Sequence, residues 1–278
     1  MKHFLIYTNH HKDLNGELTE RIIRYLESRG QRCTSITGME GKLPDIPQEA
    51  CCMLVLGGDG TMLQAVRDAK RVCIPLIGVN LGTLGYLTEI EPAYLESALD
   101  KLIAGQFQTE SRMMLKGHVY HEAEEIREDW ALNDIVISRS GSLQIIRLKV
   151  YVNGQFLKEY SADGVIVTTP TGSTGYNLSA GGPIVNPKAQ LIMLTPICPH
   201  TLNARSIILS PLDEIEIEIS AGREGQEQPV EVSFDGTNVI SMGVGDRVRI
   251  VKSEKTTEII KISEVSFLEA LHRKMSDK

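Results

Sequence analysis

Cys51-Cys52-Met53-Leu54-Val55-Leu56-Gly57-Gly58-Asp59-Gly60-Thr61-Met62-Leu63 is the stretch that decides the fold. Leu54, Val55 and Leu56 read as a buried strand, and Thr61 onward reads as the start of a helix. Gly57, Gly58, Asp59 and Gly60 then make a tight strand-to-helix turn. In an open α/β sheet, ligands sit outside the carboxyl ends of the strands. A helix N-terminus offers free N–H groups to an anion, phosphate above all. Glycines let the backbone approach such a ligand closely. The turn keeps one functional side chain, the Asp59 carboxylate, and beside a phosphate it is repulsive unless it handles a proton, a hydroxyl or a metal.

Outward from this turn, strand and helix alternate. His3–Tyr7 reads as a strand, and Leu14, Leu18, Ile22, Tyr25 and Leu26 recur at helical spacing before Gly30. Cys33–Ile36 reads as a strand, followed by a Gly- and Pro-bearing loop from Thr37 to Gln48, expected to be mobile. A helix is expected from Thr61 to Arg71 and a strand over Ile74–Val79. A second glycine loop, Asn80-Leu81-Gly82-Thr83-Leu84-Gly85-Tyr86, comes next, then a helix from Pro92 to about Ala104. This alternation predicts a doubly wound, Rossmann-like parallel sheet.

Near Phe107 the pattern changes, and strands dominate to Ser263. Trp130–Ser138, Leu143–Val152, Val165–Thr169, Leu191–Leu194 and Ser206–Leu209 are strand-like. Glu214–Ile219 alternates strictly, so one face is buried and the other wet. Asp246–Val251 and Glu258–Ile262 complete an expected antiparallel, β-sandwich-like domain. The final Ser266–Met275 segment looks helical and is expected to return to the first domain. The domains expected are thus 1–106 with 264–278, carrying the glycine turn, and 107–263, rich in β-structure.

Composition narrows the function. The chain has 278 residues and is 42% hydrophobic, which suits two domains with real cores. A net charge of −7 argues against nucleic acid or an anionic membrane as partner. No apolar run reaches membrane-spanning length, and MKHFLIYTN reads as a strand rather than a secretory leader, so a cytoplasmic location is expected. Five cysteines without a CxxC pair argue for reduced thiols. No P-loop, GxGxxG, GxSxG or HExxH is present, and no metal-ligand set is expected.

Two further segments carry chemistry. Asp163–Pro183 runs DGVIVTTPTGSTGYNLSAGGP; its hydroxyls and N–H groups suit phosphate or ribose, and Tyr176 offers a face to a base. The bland alternative is a polar turn with an exposed Ser/Thr cluster. In Ala131-Leu132-Asn133-Asp134-Ile135-Val136, a polar pair interrupts an apolar strand, and buried Asn and Asp need partners. Asn133 can pair with an adenine edge and Asp134 with ribose hydroxyls; the alternative is a strand-edge bulge. Asp235-Gly236 reads as a turn and little more. His10-His11 reads as solvated, and His200 as structural.

Together, Gly57–Thr61, Asn80–Thr88, Asn133-Asp134, Asp163–Asn177 and Pro199–Arg205 resemble the NAD kinases, in order and over nearly the whole chain. The resemblance implies phosphoryl transfer from ATP, or in some bacterial members inorganic polyphosphate, to the 2′-hydroxyl of the NAD adenosine ribose. It implies Mg²⁺ (or another divalent cation) travelling with ATP, and a homodimer or homotetramer in which a neighbouring subunit completes part of each NAD site. By the same resemblance Asp59 is the proton acceptor. Asp59, Gly60, Tyr86, Asn133, Asp134, Asp163, Thr174, Gly175, Tyr176, Asn177 and Ser179 contact NAD. The Gly57, Gly58, Gly60 and Thr61 turn faces phosphate. Three departures stand out: Asp134 where Glu is common, Gly175 where Ala is usual, and Ser161 where many bacterial members carry Arg. The competing readings are a lipid or sugar kinase sharing the GGDGT turn, and a non-catalytic NAD(P)-binding regulator.

Overall fold

The computed structural model describes residues 1–37, 47, 49–69, 74–82, 85–141, 145–201, 203–222 and 229–276. Most of the Thr37–Gln48 loop, the end of the helix at Arg71, Cys73, Thr83, Leu84 and Leu202 lie outside those residues. The chain forms two compact units, Met1–Ser111 with Thr257–Lys278, and Arg112–Thr256.

In the first unit, β1 (His3–Thr8), α1 (Glu17–Ser28), β2 (Arg32–Thr37), β3 (Ala50–Gly57), α2 (Asp59–Asp68), β4 (Leu76–Asn80), β5 (Thr88–Ile90) and α3 (Leu95–Ala104) follow one another. β1 pairs in parallel with β2 on one side and β3 on the other, and β3 pairs in parallel with β4. The chain therefore winds outward from β1 to β2, then jumps back across β1 to β3. That reversal is a topological switch point, where open α/β sheets bind ligands. β1 is buried along its full length, and Phe4, Ile6, Leu54, Leu56, Ile22 and Leu26 share one core. Burial on both faces explains why these strands read as apolar runs rather than alternating ones.

α2 begins at Asp59, two residues earlier than the sequence suggests. Gly58 takes an extended N-cap conformation (φ −124°, ψ −167°), so Asp59 and Gly60 already belong to the first turn. Gly60 is a poor helix former and hides this boundary. Asp59, by contrast, suits the positive end of the helix dipole.

The second unit continues from β6 (Gln108–His121) through β7 (Glu124–Ala131), β8 (Asp134–Arg139), β9 (Ile146–Val152), β10 (Gln155–Ala162) and β11 (Gly164–Thr168). After the short helix α4 (Tyr176–Ser179) come β12 (Ile192–Ile197), β13 (Ile207–Leu209), β14 (Ile215–Ile219), β15 (Val230–Phe234) and β16 (Thr237–Met242). One antiparallel sheet runs β13-β12-β11-β8-β15-β16. A second antiparallel group, β10-β9-β14, continues into β17 (Arg247–Lys261). Inward residues of both, including Ile135, Val167, Leu194, Leu148, Val150, Ile217 and Val232, fill a single core. This is the arrangement of a β-sandwich.

β17 is one continuous strand where two were expected. It carries the chain back to the first unit, where Ile259 pairs in parallel with Leu76. The final helix, α5 (Phe267–Ser276), follows.

Candidate active site

In the first unit the candidate site lies where β1 and β3 end. Asp59 leaves the end of β3, and both oxygens of its carboxylate accept backbone hydrogen bonds, Oδ2 from Tyr86 N–H at 2.8 Å and Oδ1 from Leu87 N–H at 2.9 Å. The 86–87 amides thus fix the carboxylate's direction while leaving each oxygen a free lone pair. Gly85 makes this contact possible, because a Cβ there would land on the Asp59 carboxylate. Thr61 is buried; its Oγ1 accepts from Asn9 Nδ2 at 3.1 Å, which ties the residue after β1 to the first turn of α2.

No side chain caps the N-terminus of α2; Thr61 N–H donates to Gly58 O at 2.9 Å, and the N–H groups ahead of it, at Asp59 and Gly60, are the ones that suit an anion. The Lys12 ammonium sits against the same turn, 3.1 Å from the position of a Cβ on Gly58 and 3.5 Å from one on Gly82. Lys12 lines an open cleft of about 630 Å³ with Asn80, Leu81, Gly82, Glu91 and Pro92. It was not singled out by sequence, since nothing local separates it from a solvated lysine. Tyr86 is held by α5: the Lys274 ammonium lies 4.0 Å from its ring centroid and the Phe267 ring 6.4 Å away. Burial, and then the Asp59 charge, push the Tyr86 phenol up.

In the second unit, Asn133 and Asp134 lie at the break between β7 and β8. The Asn133 carbonyl accepts from Thr169 N–H at 2.9 Å and Thr168 Oγ1 at 2.9 Å. Gly172 packs so closely that a Cβ would meet that carbonyl oxygen at 2.5 Å. The Asn133 side-chain oxygen Oδ1 is buried, and among the described residues it has no hydrogen-bond partner; the buried Thr171 hydroxyl is in the same condition. Asp134 is only 6% exposed. Burial first, and the Asp235 charge second, push its carboxyl up to about 7.

The Thr/Ser/Tyr segment, expected as a loop, forms two helical turns, Thr171–Thr174 and Tyr176–Ser179. Tyr176 is 46% exposed and Ser179 is exposed, while Thr174 and Gly175 are half-buried. Asn177 faces the protein instead. Its amide donates to Ser173 O at 3.1 Å and Pro183 O at 3.0 Å, and its Oδ1 accepts from Thr195 Oγ1 at 2.7 Å. That side chain holds the segment's shape rather than presenting a ligand group. Asp163 pairs with Arg139 Nε at 3.0 Å. Arg139, unforeseen in sequence, therefore places a cation on β8 although position 161 holds Ser. The Tyr176 phenol is raised by burial first, then by Cys198, Asp163 and Asp134, with Arg139 opposing; these groups share one electrostatic neighbourhood.

Family models for the ATP-NAD kinase N-terminal domain and C-terminal domain match residues 12–107 and 132–262. The NAD kinase of Agathobacter rectalis is 49% identical over 284 residues, spanning 100% of this chain and 99% of its own length. The chain belongs to the NAD kinase family. The NAD kinase of Lachnoclostridium phytofermentans is 44% identical over 285 residues, with both chains fully covered. Among solved structures, yeast NADH kinase complexed with NADH matches with a TM-score of 0.86 at 25% identity, covering 100% of this chain and 88% of that one. An Archaeoglobus fulgidus NAD kinase in complex with ATP matches at 0.78 and 25%, with both chains fully covered.

Among the described residues, one set has metal-ligand proximity: His118, Glu125 and Glu128 on the β6–β7 hairpin. Lys116 already pairs with Glu128 at 2.8 Å, and His118 Nδ1 lies 3.2 Å from Glu125.

Proposed function

We propose that this member of the NAD kinase family transfers a phosphoryl group from ATP to the 2′-hydroxyl of the NAD adenosine ribose, yielding NADP, with inorganic polyphosphate as a further candidate donor. The observation that carries this reading is the Asp59 carboxylate, fixed by the Tyr86 and Leu87 amides beside an uncapped helix N-terminus at the switch point. Phosphoryl transfer is largely positioning and charge neutralisation, and this geometry supplies both.

Asp59 orients the ribose hydroxyl and accepts its proton through its free lone pairs. The Gly57, Gly58, Gly60 and Thr61 turn takes donor phosphate, with Lys12 as the nearby cation. Tyr86 packs on the adenosine. In the second unit, Asn133 and Asp134 receive hydrogen-bond donors of the nucleoside. Thr174, Gly175, Tyr176 and Ser179 bracket the remainder, Asn177 maintains that segment, and Asp163 with Arg139 serves the nicotinamide end. A divalent cation would enter with ATP, held on its phosphate oxygens, and would neutralise phosphate charge.

The free thiols Cys33, Cys51, Cys52 and Cys198 support a reducing, cytoplasmic setting. Assembly as a homodimer or homotetramer and the division into 1–106 with 264–278 and 107–263 complete the reading. The compact units Met1–Ser111 with Thr257–Lys278 and Arg112–Thr256 support that division.

The test is Asp59→Asn. Asparagine keeps one acceptor oxygen but cannot take the proton, so NAD affinity by calorimetry should stay within a few-fold while turnover falls by about 10²–10⁴. Near-normal turnover would remove Asp59 from the proton-accepting role.

A further inference from the structure

We propose that Asp235 is a positioning residue for NAD binding: its carboxylate fixes the backbone of Leu132-Asn133-Asp134, and its charge makes nucleoside binding pH-dependent. The inference rests on Asn133 and Asp134 holding the nucleoside.

Asp235 and Gly236 join β15 to β16, both in the left-handed region (φ 50° and 71°). Two consecutive left-handed residues make a tight hairpin, for which Asn-Gly serves as well as Asp-Gly. The turn alone therefore does not call for a carboxylate. Its side chain does much more than turn the chain. Oδ2 accepts from Leu132 N–H at 2.8 Å, and Oδ1 accepts from Asn133 N–H at 2.8 Å and Asp134 N–H at 3.1 Å. In return, Asp235 N–H donates to the Asp134 carbonyl at 3.0 Å. Three convergent amides at a break in the strand ladder require an acceptor with several lone pairs, and a carboxylate is the side chain that supplies them.

The Asn133 backbone is thereby held from two sides, by Asp235 on its N–H and by Thr168 and Thr169 on its carbonyl. Its buried Oδ1 has no partner among the described residues. Buried acceptors are normally satisfied, and a hydrogen-bond donor of the nucleoside is the partner proposed for this one. Asp134 is the second presented group. The charged or titratable groups facing it are Asp235 on the hairpin turn and Tyr176 on α4; Thr168, opposite it on β11, is neutral. Burial and the Asp235 charge hold the Asp134 carboxyl near neutrality, at about 7. Below that pH it carries a proton; above it, the carboxylate accepts hydrogen bonds from ribose hydroxyls or an amine. Nucleoside donors therefore favour the ionised form, and the KM for NAD should fall several-fold as pH rises from 6 to 8.

The experiment compares the pH profiles of kcat and of the KM for NAD in wild type, Asp235→Asn and Asp134→Asn, with melting temperature as a check on folding. Asparagine tolerates the left-handed region and keeps the hairpin. For Asp235→Asn, the KM should rise about tenfold with kcat within about threefold, and the break in the KM profile should move to lower pH as the repelling charge disappears. For Asp134→Asn, the break should vanish. An Asp235→Asn profile that matches wild type, or one that loses kcat alone, overturns the proposal while leaving the site intact. An Asp134→Asn variant whose KM and pH break both match wild type overturns the assignment of the pair itself, and the proposal with it. Should Asp235→Asn melt below the assay temperature, a break that persists in Asp134→Asn is sufficient to overturn the proposal.

Discussion

Asp59 and Gly85 act as one device at the residue scale. The carboxylate occupies the space that a side chain at position 85 would fill, so its direction depends on the absence of a Cβ there. Gly85→Ala should displace Asp59 and lower turnover by about 10²-fold, since small misplacements at the reacting centre cost about that much. Turnover within twofold of wild type would show that the carboxylate position is not set by this contact. Asp134 carries a separate consequence for stability. Its folded-state value of about 7 lies above the ordinary 3.8, so folding favours the protonated form. That contribution is complete below the ordinary value and is lost as pH rises towards 7. Asp134→Asn removes the penalty, so its melting temperature should exceed that of wild type at pH 8, with the gap narrowing towards pH 5. A gap independent of pH would contradict the buried, repelled carboxyl.

Elements near the site are tied down by a few buried polar contacts. Glu89 on β5 is 3% exposed at its side chain and ion-pairs with Lys261. It also accepts from Ile262 N–H at 3.0 Å, and from Ser263 N–H and Oγ at 2.7 Å each. This clamp fastens the end of β17 just before α5, the helix that carries Lys274 and Phe267 to Tyr86. Glu89→Ala should destabilise the protein by about 3 kcal/mol, read as the denaturant midpoint, because it leaves Lys261 and two amides without their shared acceptor. A midpoint equal to wild type would mean that α5 is held by other contacts. The β3–α2 junction is legible from sequence because an apolar run ending in glycines admits few structures. The two helical turns over 171–179 are not: Pro, Gly, Ser and Thr favour loops locally, and tertiary contacts such as Thr169 Oγ1 to Leu132 O at 2.6 Å override that preference. The continuity of β17 is hidden by its polar central stretch, Lys252–Glu258, where alternation weakens. The polar β6–β7 hairpin is hidden for a similar reason.

At the scale of the whole molecule, the motifs proposed for the site, Asp59, Asn133 with Asp134, and Asp163–Ser179, are each contiguous in sequence and stand out there. What positions them is not contiguous. Asp235 reaches Leu132 across 103 residues and Arg139 meets Asp163 from a neighbouring strand, so each looks ordinary in its own segment. The most direct measurement is NADP formation by the purified full chain with NAD, Mg²⁺ and either ATP or polyphosphate, followed with an NADP-specific dehydrogenase. Sustained NADP production with ATP, falling by about 10² or more in Asp59→Asn, is the expected result. Absence of NADP with every donor from a folded, NAD-binding preparation would contradict the account.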